Sequence, residues 1–233
     1  MKIALLGYGR MGKAIEKIAL ERGHSIVCIL DKEQQEGSIA NADVAINFSV
    51  PTAALTNIKE AFDNGVPVVC GTTGWLDALD EVHAYCSAKK SAFLYASNFS
   101  VGVNLFFKLN ELCARLMKGH ENQYTAHLEE THHIHKLDAP SGTAITLAEG
   151  IGAENKHYAN WSMDEDTTDL KITSFREGEV PGTHTVTYAS AVDQLTIEHK
   201  AHSREGFALG AVIAAEWLNN KEGIFSMNDV LNL

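Results

Sequence analysis

Cysteine is scarce in this chain, and its spacing forms no motif. Cys28, Cys70, Cys86 and Cys113 are the only four. None lie as C-x-x-C, which removes the usual thiol-redox and zinc-ribbon patterns and points to buried thiols in a reducing compartment. Cys70 precedes Gly71-Thr72-Thr73 and is expected to be packed rather than reactive. Basic residues are also few: 19 Lys and Arg stand against 30 acids, a formal charge of −11. A general nucleic-acid binder needs a basic face, so that class is excluded. Small anions are not, because local fields can oppose the net charge. No apolar run reaches membrane-spanning length. The short opening run from Met1 to Gly7 is a first strand rather than a signal peptide. A cytoplasmic protein with no membrane partner is expected. No internal repeat or low-complexity segment is visible. The 233 residues, 45% hydrophobic, suffice for one large domain or two modest ones.

What is present begins with Lys2 to Leu6, an apolar strand that runs into Gly7-Tyr8-Gly9-Arg10-Met11-Gly12. A helical pattern follows, with Ile15, Ile18 and Ala19 inward and an end near Gly23. A second strand, Ser25 to Leu30, closes on Asp31. Strand, glycine turn, helix, strand and acid in that order form the Rossmann dinucleotide fingerprint. Gly7 allows the tight turn, Gly9 the approach of a pyrophosphate, and Gly12 close packing of the helix on the strand. Asp31 suits a ribose hydroxyl and hence NADH. Lys32 suits a 2′-phosphate and hence NADPH. The alternation continues with strands at 43–49, 65–70 and 92–96 and helices at 51–64 and 76–89. Ligands in such sheets sit beyond the strands' carboxyl ends. Gly71, Thr72 and Thr73, and Ala96, Ser97, Asn98 and Phe99, occupy that edge and are candidates to line a nicotinamide.

The texture changes after a helix at 103–118. An alternating strand at 124–130 leads into Thr131-His132-His133-Ile134-His135-Lys136-Leu137-Asp138. Pro140 and Ser141 then introduce a helix at 143–149, with Ser141 or Thr143 as cap. Imidazoles, an ammonium and a carboxylate ahead of a helix start suit a small dianion, because unpaired amides and the helix dipole favour negative charge there. Histidine adds a proton that moves near neutral pH. If the strand continues through the segment, His133 and His135 share one face and His132 takes the other. A metal site is disfavoured: the H-E-x-x-H helix pattern is missing and no cysteine lies near. Residues 155–169 read as loop. Strands follow at 170–175, 183–189 and 194–200, then an apolar helix at 207–219 and a short tail at 228–233. Strands without covering helices suggest an antiparallel or mixed sheet. The expected fold is α/β: an N-terminal Rossmann-type parallel sheet from 1–101 with 205–233, and a second α+β domain carrying a mixed sheet at 102–204.

These residues resemble the dihydrodipicolinate reductase, or 4-hydroxy-tetrahydrodipicolinate reductase, family. The signature E-x-x-H-H-x-x-K-x-D-x-P-S-G-T-A runs from Glu129 or Glu130 to Ala144. Gly9-Arg10-Met11-Gly12, Gly71-Thr72-Thr73-Gly74, residues 97–104, Gly182-Thr183-His184-Thr185 and His199-Lys200 carry it further. The resemblance spans nearly the whole chain. It implies reduction of a cyclic imine-type dicarboxylate by NADPH or NADH, in lysine and diaminopimelate synthesis. It also implies His132 as proton donor and Lys136 as second catalytic residue, with His133, Gly142 and Thr143, and less securely Ser141, on the substrate. The family is tetrameric through its second-domain sheet, and a homotetramer built by the second domain is expected, because one face of that sheet lacks an evident partner within the chain and a large apolar face would need cover. The chain is short for the family between Asp31 and Asp43, which leaves cofactor preference open. The alternatives are an aspartate- or homoserine-type dehydrogenase, and a nicotinamide-sensing regulator that would not need His132 and Lys136.

Overall fold

The computed structural model describes residues 1–164, 168–203 and 205–233. It divides into two compact units, Met1–Val101 with Glu205–Leu233, and Gly102–Arg204. The part of the expected loop at 165–167, and position 204, lie outside the described residues.

The first unit alternates β1 (Lys2–Leu6), α1 (Arg10–Glu21), β2 (Ser25–Leu30), β3 (Gln35–Gly37), β4 (Val44–Asn47), α2 (Pro51–Asp63), β5 (Val68–Cys70), α3 (Leu79–Ala88) and β6 (Ala92–Tyr95). Strands β1, β4 and β5 are buried throughout except for Lys2, because helices cover both faces. One core layer holds Ile15, Ile18 and Ala19 of α1 against Ile3, Leu5 and Ile46. The other holds Ile58 and Phe62 of α2 and Val82 of α3 against Leu6, Ala45 and Phe93.

The second unit follows with α4 (Val101–Met117), β7 (Thr125–His132), α5 (Gly142–Glu154), β8 (Trp161–Ser162), β9 (Leu170–Arg176), β10 (Thr183–Ala189) and β11 (Gln194–Lys200). The chain then adds α6 (Glu205–Leu218), β12 (Gly223–Phe225) and α7 (Met227–Leu231) to the first unit. Helix α6 lies so close to the loop after β6 that a methyl on Gly210 would meet the Phe99 carbonyl oxygen at 1.7 Å. Only a hydrogen fits that contact.

Among the described residues the first sheet has seven strands in the order β12-β6-β5-β4-β1-β2-β3. All its pairs are parallel except β2 with β3. The order reverses between β1 and β4, which opens a crevice at their carboxyl ends. Three elements depart from the sequence reading. The link after Asp31 contains the antiparallel edge strand β3, and the expected tail contains α7, preceded by the edge strand β12.

The second sheet runs β11-β10-β7-β9-β8. It is mixed, because β7 is antiparallel to β10 and parallel to β9. Strand β8 and a 3₁₀ turn at Lys156–Tyr158 occupy part of the expected loop. One sheet face buries Leu128, Ile172, Val186 and Tyr188 with Phe106 and Ala114 of α4 and Leu147 and Ile151 of α5. The register puts His127, Glu129, Lys171, Thr173, Thr185 and Thr187 on the opposite face. That face is polar, which corrects the premise of an apolar face in need of cover. The unit's exposed apolar ridge is instead on α4, where Leu105, Leu109, Leu112 and Leu116 are 43–67% exposed. Their spacing of four, three and four residues keeps them on one side of the helix. Among the described residues no helix is long and apolar enough to cross a membrane.

Candidate active site

In the first unit, Gly7 follows β1 with φ +98°, and a methyl there would meet the Phe48 carbonyl at 2.3 Å. A methyl on Gly12 would meet the Gly7 carbonyl at 2.4 Å, so the first turn of α1 sits directly on the loop. Gly9 differs: nothing lies within 4 Å of where its methyl would be. It is the N-cap of α1 and offers no side-chain cap, so the amides of Arg10 and Met11 are without a partner from the cap. An open backbone and uncapped amides at a helix N-terminus suit a pyrophosphate.

Asp31 is fixed beside this loop. Its Oδ2 accepts the Tyr8 amide at 2.6 Å and its Oδ1 the Lys32 amide at 2.7 Å. The Tyr8 amide holds the Asp31 carboxyl below its ordinary range, and the Lys32 and Glu33 amides add to this against the opposing effect of partial burial. Gly7, Gly9, Asp31 and Lys32 line one cleft of about 480 Å³ with Phe48 and Ser49. The neighbouring loops are tied to it. The Thr72 hydroxyl accepts the Ser49 amide at 3.0 Å, and Phe99 packs its ring 5.6 Å from Phe48. Gly71 has no room for a side chain against the Phe48 ring, while Thr73 is exposed. Ala96 and Ser97 follow β6 on the same edge, and Asn98 Oδ1 accepts the Ser100 amide at 2.9 Å. Phe48 and Ser49 were not singled out in the sequence, where they read only as a strand end. Cys70 is fully buried, and burial pushes its thiol up to about 12, so it is inert.

In the second unit β7 alternates strictly, with Ala126, Leu128, Glu130 and His132 buried. The strand ends at His132, and residues 133–136 turn instead of continuing extended. The strand that would place His133 and His135 on one face is therefore absent, and the turn instead brings their rings to 6.2 Å between centroids. The break has a backbone cause. His132 O accepts the Glu177 amide at 2.8 Å and Gly178 O accepts the Ile134 amide at 3.1 Å, so the ladder closes into a turn.

Sheet register assembles the site. Glu130 is opposite His184 on β10 and Ser174 on β9, and His132 is opposite Arg176. The imidazole of His132 contacts Glu130 through Nδ1. Arg176 Nη2 lies 2.9 Å from the other oxygen of Glu130, whose side chain has no exposed surface. Burial alone would raise the Glu130 pKa, but the His132 contact and the Arg176 guanidinium, with Ser174 beside them, outweigh it and hold the group down at about 2. His184 stands edge-on to His132 with ring centroids 5.0 Å apart. Burial, reinforced by the His132 charge, pushes His184 down to about 3, so it is neutral. A methyl on Gly182 would lie 3.0 Å from His132 Nε2, so this glycine closes one side of the ring.

His184 Nε2 lies 2.9 Å from Ser141 Oγ, and that oxygen accepts the Ala144 amide at 3.2 Å as N-cap of α5. This joins His132 to the helix end that carries Gly142 and Thr143. Thr143 is half-buried and Gly142 is exposed. Lys136 Nζ lies 2.8 Å from both oxygens of Asp138, whose carboxyl it holds below the ordinary range. Sequence reading marked Glu130 only as a possible start of the signature, named His184 only within a familial stretch, and missed Arg176. Glu130, His132 and His184 have ligand atoms within 4.8 Å of one another. Those donors would suit a metal, but the Arg176 guanidinium already supplies the cation at Glu130.

The sequence profile of the dihydrodipicolinate reductase N-terminus matches residues 1–99, and that of the C-terminus matches residues 102–231. The chain is 53% identical to the 4-hydroxy-tetrahydrodipicolinate reductase of Christiangramia forsetii, covering all of this chain and 98% of that protein. It is 38% identical to the enzyme of Akkermansia muciniphila, covering 97% of this chain and 95% of that one. Among solved structures, dipicolinate-bound dihydrodipicolinate reductase from Paenisporosarcina sp. TG-14 has the same fold, with TM-score 0.80 at 20% identity over 97% of both chains. Diaminopimelate dehydrogenase of C. glutamicum shares the fold more loosely, with TM-score 0.53 at 12% identity over 97% of this chain and 92% of that one. The chain belongs to the dihydrodipicolinate reductase family and catalyses the NAD(P)H-dependent reduction of 4-hydroxy-tetrahydrodipicolinate to tetrahydrodipicolinate in lysine and diaminopimelate biosynthesis.

Proposed function

We propose that His132 is the proton donor of this reduction and that Lys136, His133, Gly142 and Thr143 hold the substrate. The observation that carries this reading is the buried contact of His132 with Glu130, joined through His184 and Ser141 to the start of α5. Loss of water removes the ring hydroxyl together with a hydrogen of the neighbouring ring carbon and leaves a carbon–carbon double bond. Reduction of that bond takes up one hydride at the carbon that bore the hydroxyl and one proton at its neighbour. A bound nicotinamide supplies the hydride. His132 delivers the proton: its N–H bond breaks, a C–H bond forms at the neighbouring ring carbon, and the electron pair stays on a neutral imidazole. The Glu130 carboxylate at Nδ1 orients the ring for that transfer. The amides of Gly142 and Thr143 suit one substrate carboxylate. Lys136 has three donors, and the two Asp138 oxygens take no more than two, which leaves one for a substrate oxygen. Dipicolinate bound to the Paenisporosarcina relative supports a flat dicarboxylate in such a site.

On this reading the unit at 1–101 with 205–233 binds the dinucleotide, and the unit at 102–204 binds substrate and oligomerises. Gly7, Tyr8, Gly9, Arg10, Met11 and Gly12 take the pyrophosphate, Asp31 and Lys32 the adenosine ribose, and Gly71, Thr72, Thr73 and Ala96 to Phe99 the nicotinamide half. Fixed as a carboxylate, Asp31 accepts a ribose hydroxyl and repels a 2′-phosphate, whereas the exposed Lys32 attracts one. Use of both NADH and NADPH follows. The unpaired, buried cysteines and the biosynthetic reaction support a cytoplasmic enzyme. The assembly is a homotetramer of the second units. The exposed α4 leucine ridge supports this, since such an apolar ridge favours a closed contact with another copy.

His132→Ala and Lys136→Ala are each expected to lower turnover at least ~10²-fold in folded protein. Steady-state NAD(P)H consumption, with the substrate made in situ by its synthase, measures this; near-wild-type turnover in both removes the assignment. Dissociation constants for NADH and NADPH should differ by less than ~10³-fold, about 4 kcal/mol. A larger gap means that Asp31 and Lys32 do not share the ribose as described. Light scattering at micromolar concentration should give the mass of four chains, and a stable, active monomer contradicts the assembly.

A further inference from the structure

The structure places one guanidinium at the junction of both catalytic groups. Arg176 ends β9 opposite His132. Its Nη2 pairs with Glu130 at 2.9 Å and donates to the Asp138 carbonyl at 2.6 Å. Its Nε donates to the Lys136 carbonyl at 3.3 Å. Nη1 turns back to its own strand, donating to the Phe175 carbonyl at 2.6 Å. One planar group therefore reaches the carboxylate that holds His132 and the backbone on both sides of Leu137. Side-chain packing contributes little to holding the Lys136 segment: Leu137 is 98% and Ile134 59% exposed.

We infer that Arg176 is the positioning residue of this enzyme, fixing the proton donor His132 through Glu130 and the cation Lys136 through the main chain. The inference rests on the reading of His132 and Lys136 given above. A lysine could not do both. Its ammonium is a point charge, whereas the guanidinium presents five donors in a rigid plane and serves a carboxylate and carbonyls together. Charge is balanced as well. Glu130 and Arg176 are paired, so the pocket around His132 holds no unpaired anion. The ionisable groups around His132 are Glu130 on its own strand, Arg176 on β9, His184 on β10 with His199 beside it on β11, and Lys136 with Asp138 on the following turn.

The test compares Arg176→Lys, Arg176→Met, Glu130→Gln and His132→Ala as full-length enzymes, over a pH series, with cofactor binding as the control for folding. Arg176→Lys keeps a charge for Glu130 and loses the fork. Its turnover should fall ~10-fold or more, with the alkaline limb of the pH profile unmoved. Arg176→Met should lose ~10²-fold, the scale of a misplacement by about 1 Å. Its alkaline limb should move to higher pH, because Glu130 then serves His132 alone. Glu130→Gln should move that limb the opposite way, by about one unit or more. A merely structural arginine does not give limb shifts of opposite sign. Wild-type turnover in both Arg176 variants, or an unmoved limb in Arg176→Met, overturns the inference while a dead His132→Ala leaves the proton donor standing. Wild-type turnover in His132→Ala instead overturns the reading beneath it.

Discussion

Glu130 is a carboxylate with none of its side chain in solvent, and the second unit's site is built around keeping it charged. An isolated buried carboxylate costs several kcal/mol unless it is paired and hydrogen-bonded. Here the compensation comes from three directions: His132 on its own strand, Ser174 and Arg176 on β9, with the neutral His184 packed alongside on β10. None of these partners can be removed without leaving a buried charge unmet. The same requirement orients the imidazole, because only Nδ1 faces the carboxylate. A stability demand and, on the proposed role of His132, a catalytic demand therefore fall on the same atoms.

The first unit rests on a different constraint, close approach at backbone positions that leave no room for a side chain. Gly7, Gly12, Gly71 and Gly210 each sit where a methyl would strike a neighbour at 2.4 Å or less. These contacts draw the first loop, the loops after β4 and β5, and helix α6 inward, which leaves Gly9 and the first amides of α1 as open backbone. The cleft is open there because everything beside it is tightly closed.

Much of this was legible in the sequence. The fingerprint glycines, Asp31 and the strand–helix alternation gave the first sheet, because buried parallel strands and amphipathic helices leave strong patterns. The edge strands β3 and β12 left none: at three residues each, and without a fully buried position, they carry no periodicity to read. The signature around His132 and Lys136 was visible because its residues are consecutive. Arg176 and His184 were not, because their place beside Glu130 and His132 follows from the pairing of β9 and β10 with β7. The turn at 133–136 was not legible, and the strand continuation remained only a condition, because the bonds that shape it run to residues 177 and 178, far along the chain. The sheet's open face was expected to be apolar from its lack of covering helices, yet its outward positions are largely threonine and charged side chains.

The central claim is that Glu130, anchored by Arg176, fixes the His132 ring with Nδ1–H toward the carboxylate and Nε2 turned to the chemistry. Histidine ¹⁵N NMR on the full-length enzyme, with His132→Ala used to assign the signal, reads the tautomer directly. The account predicts that neutral His132 carries its proton on Nδ1, and that Glu130→Gln abolishes this preference. A neutral ring protonated on Nε2 in the wild type, unchanged in Glu130→Gln, would contradict it.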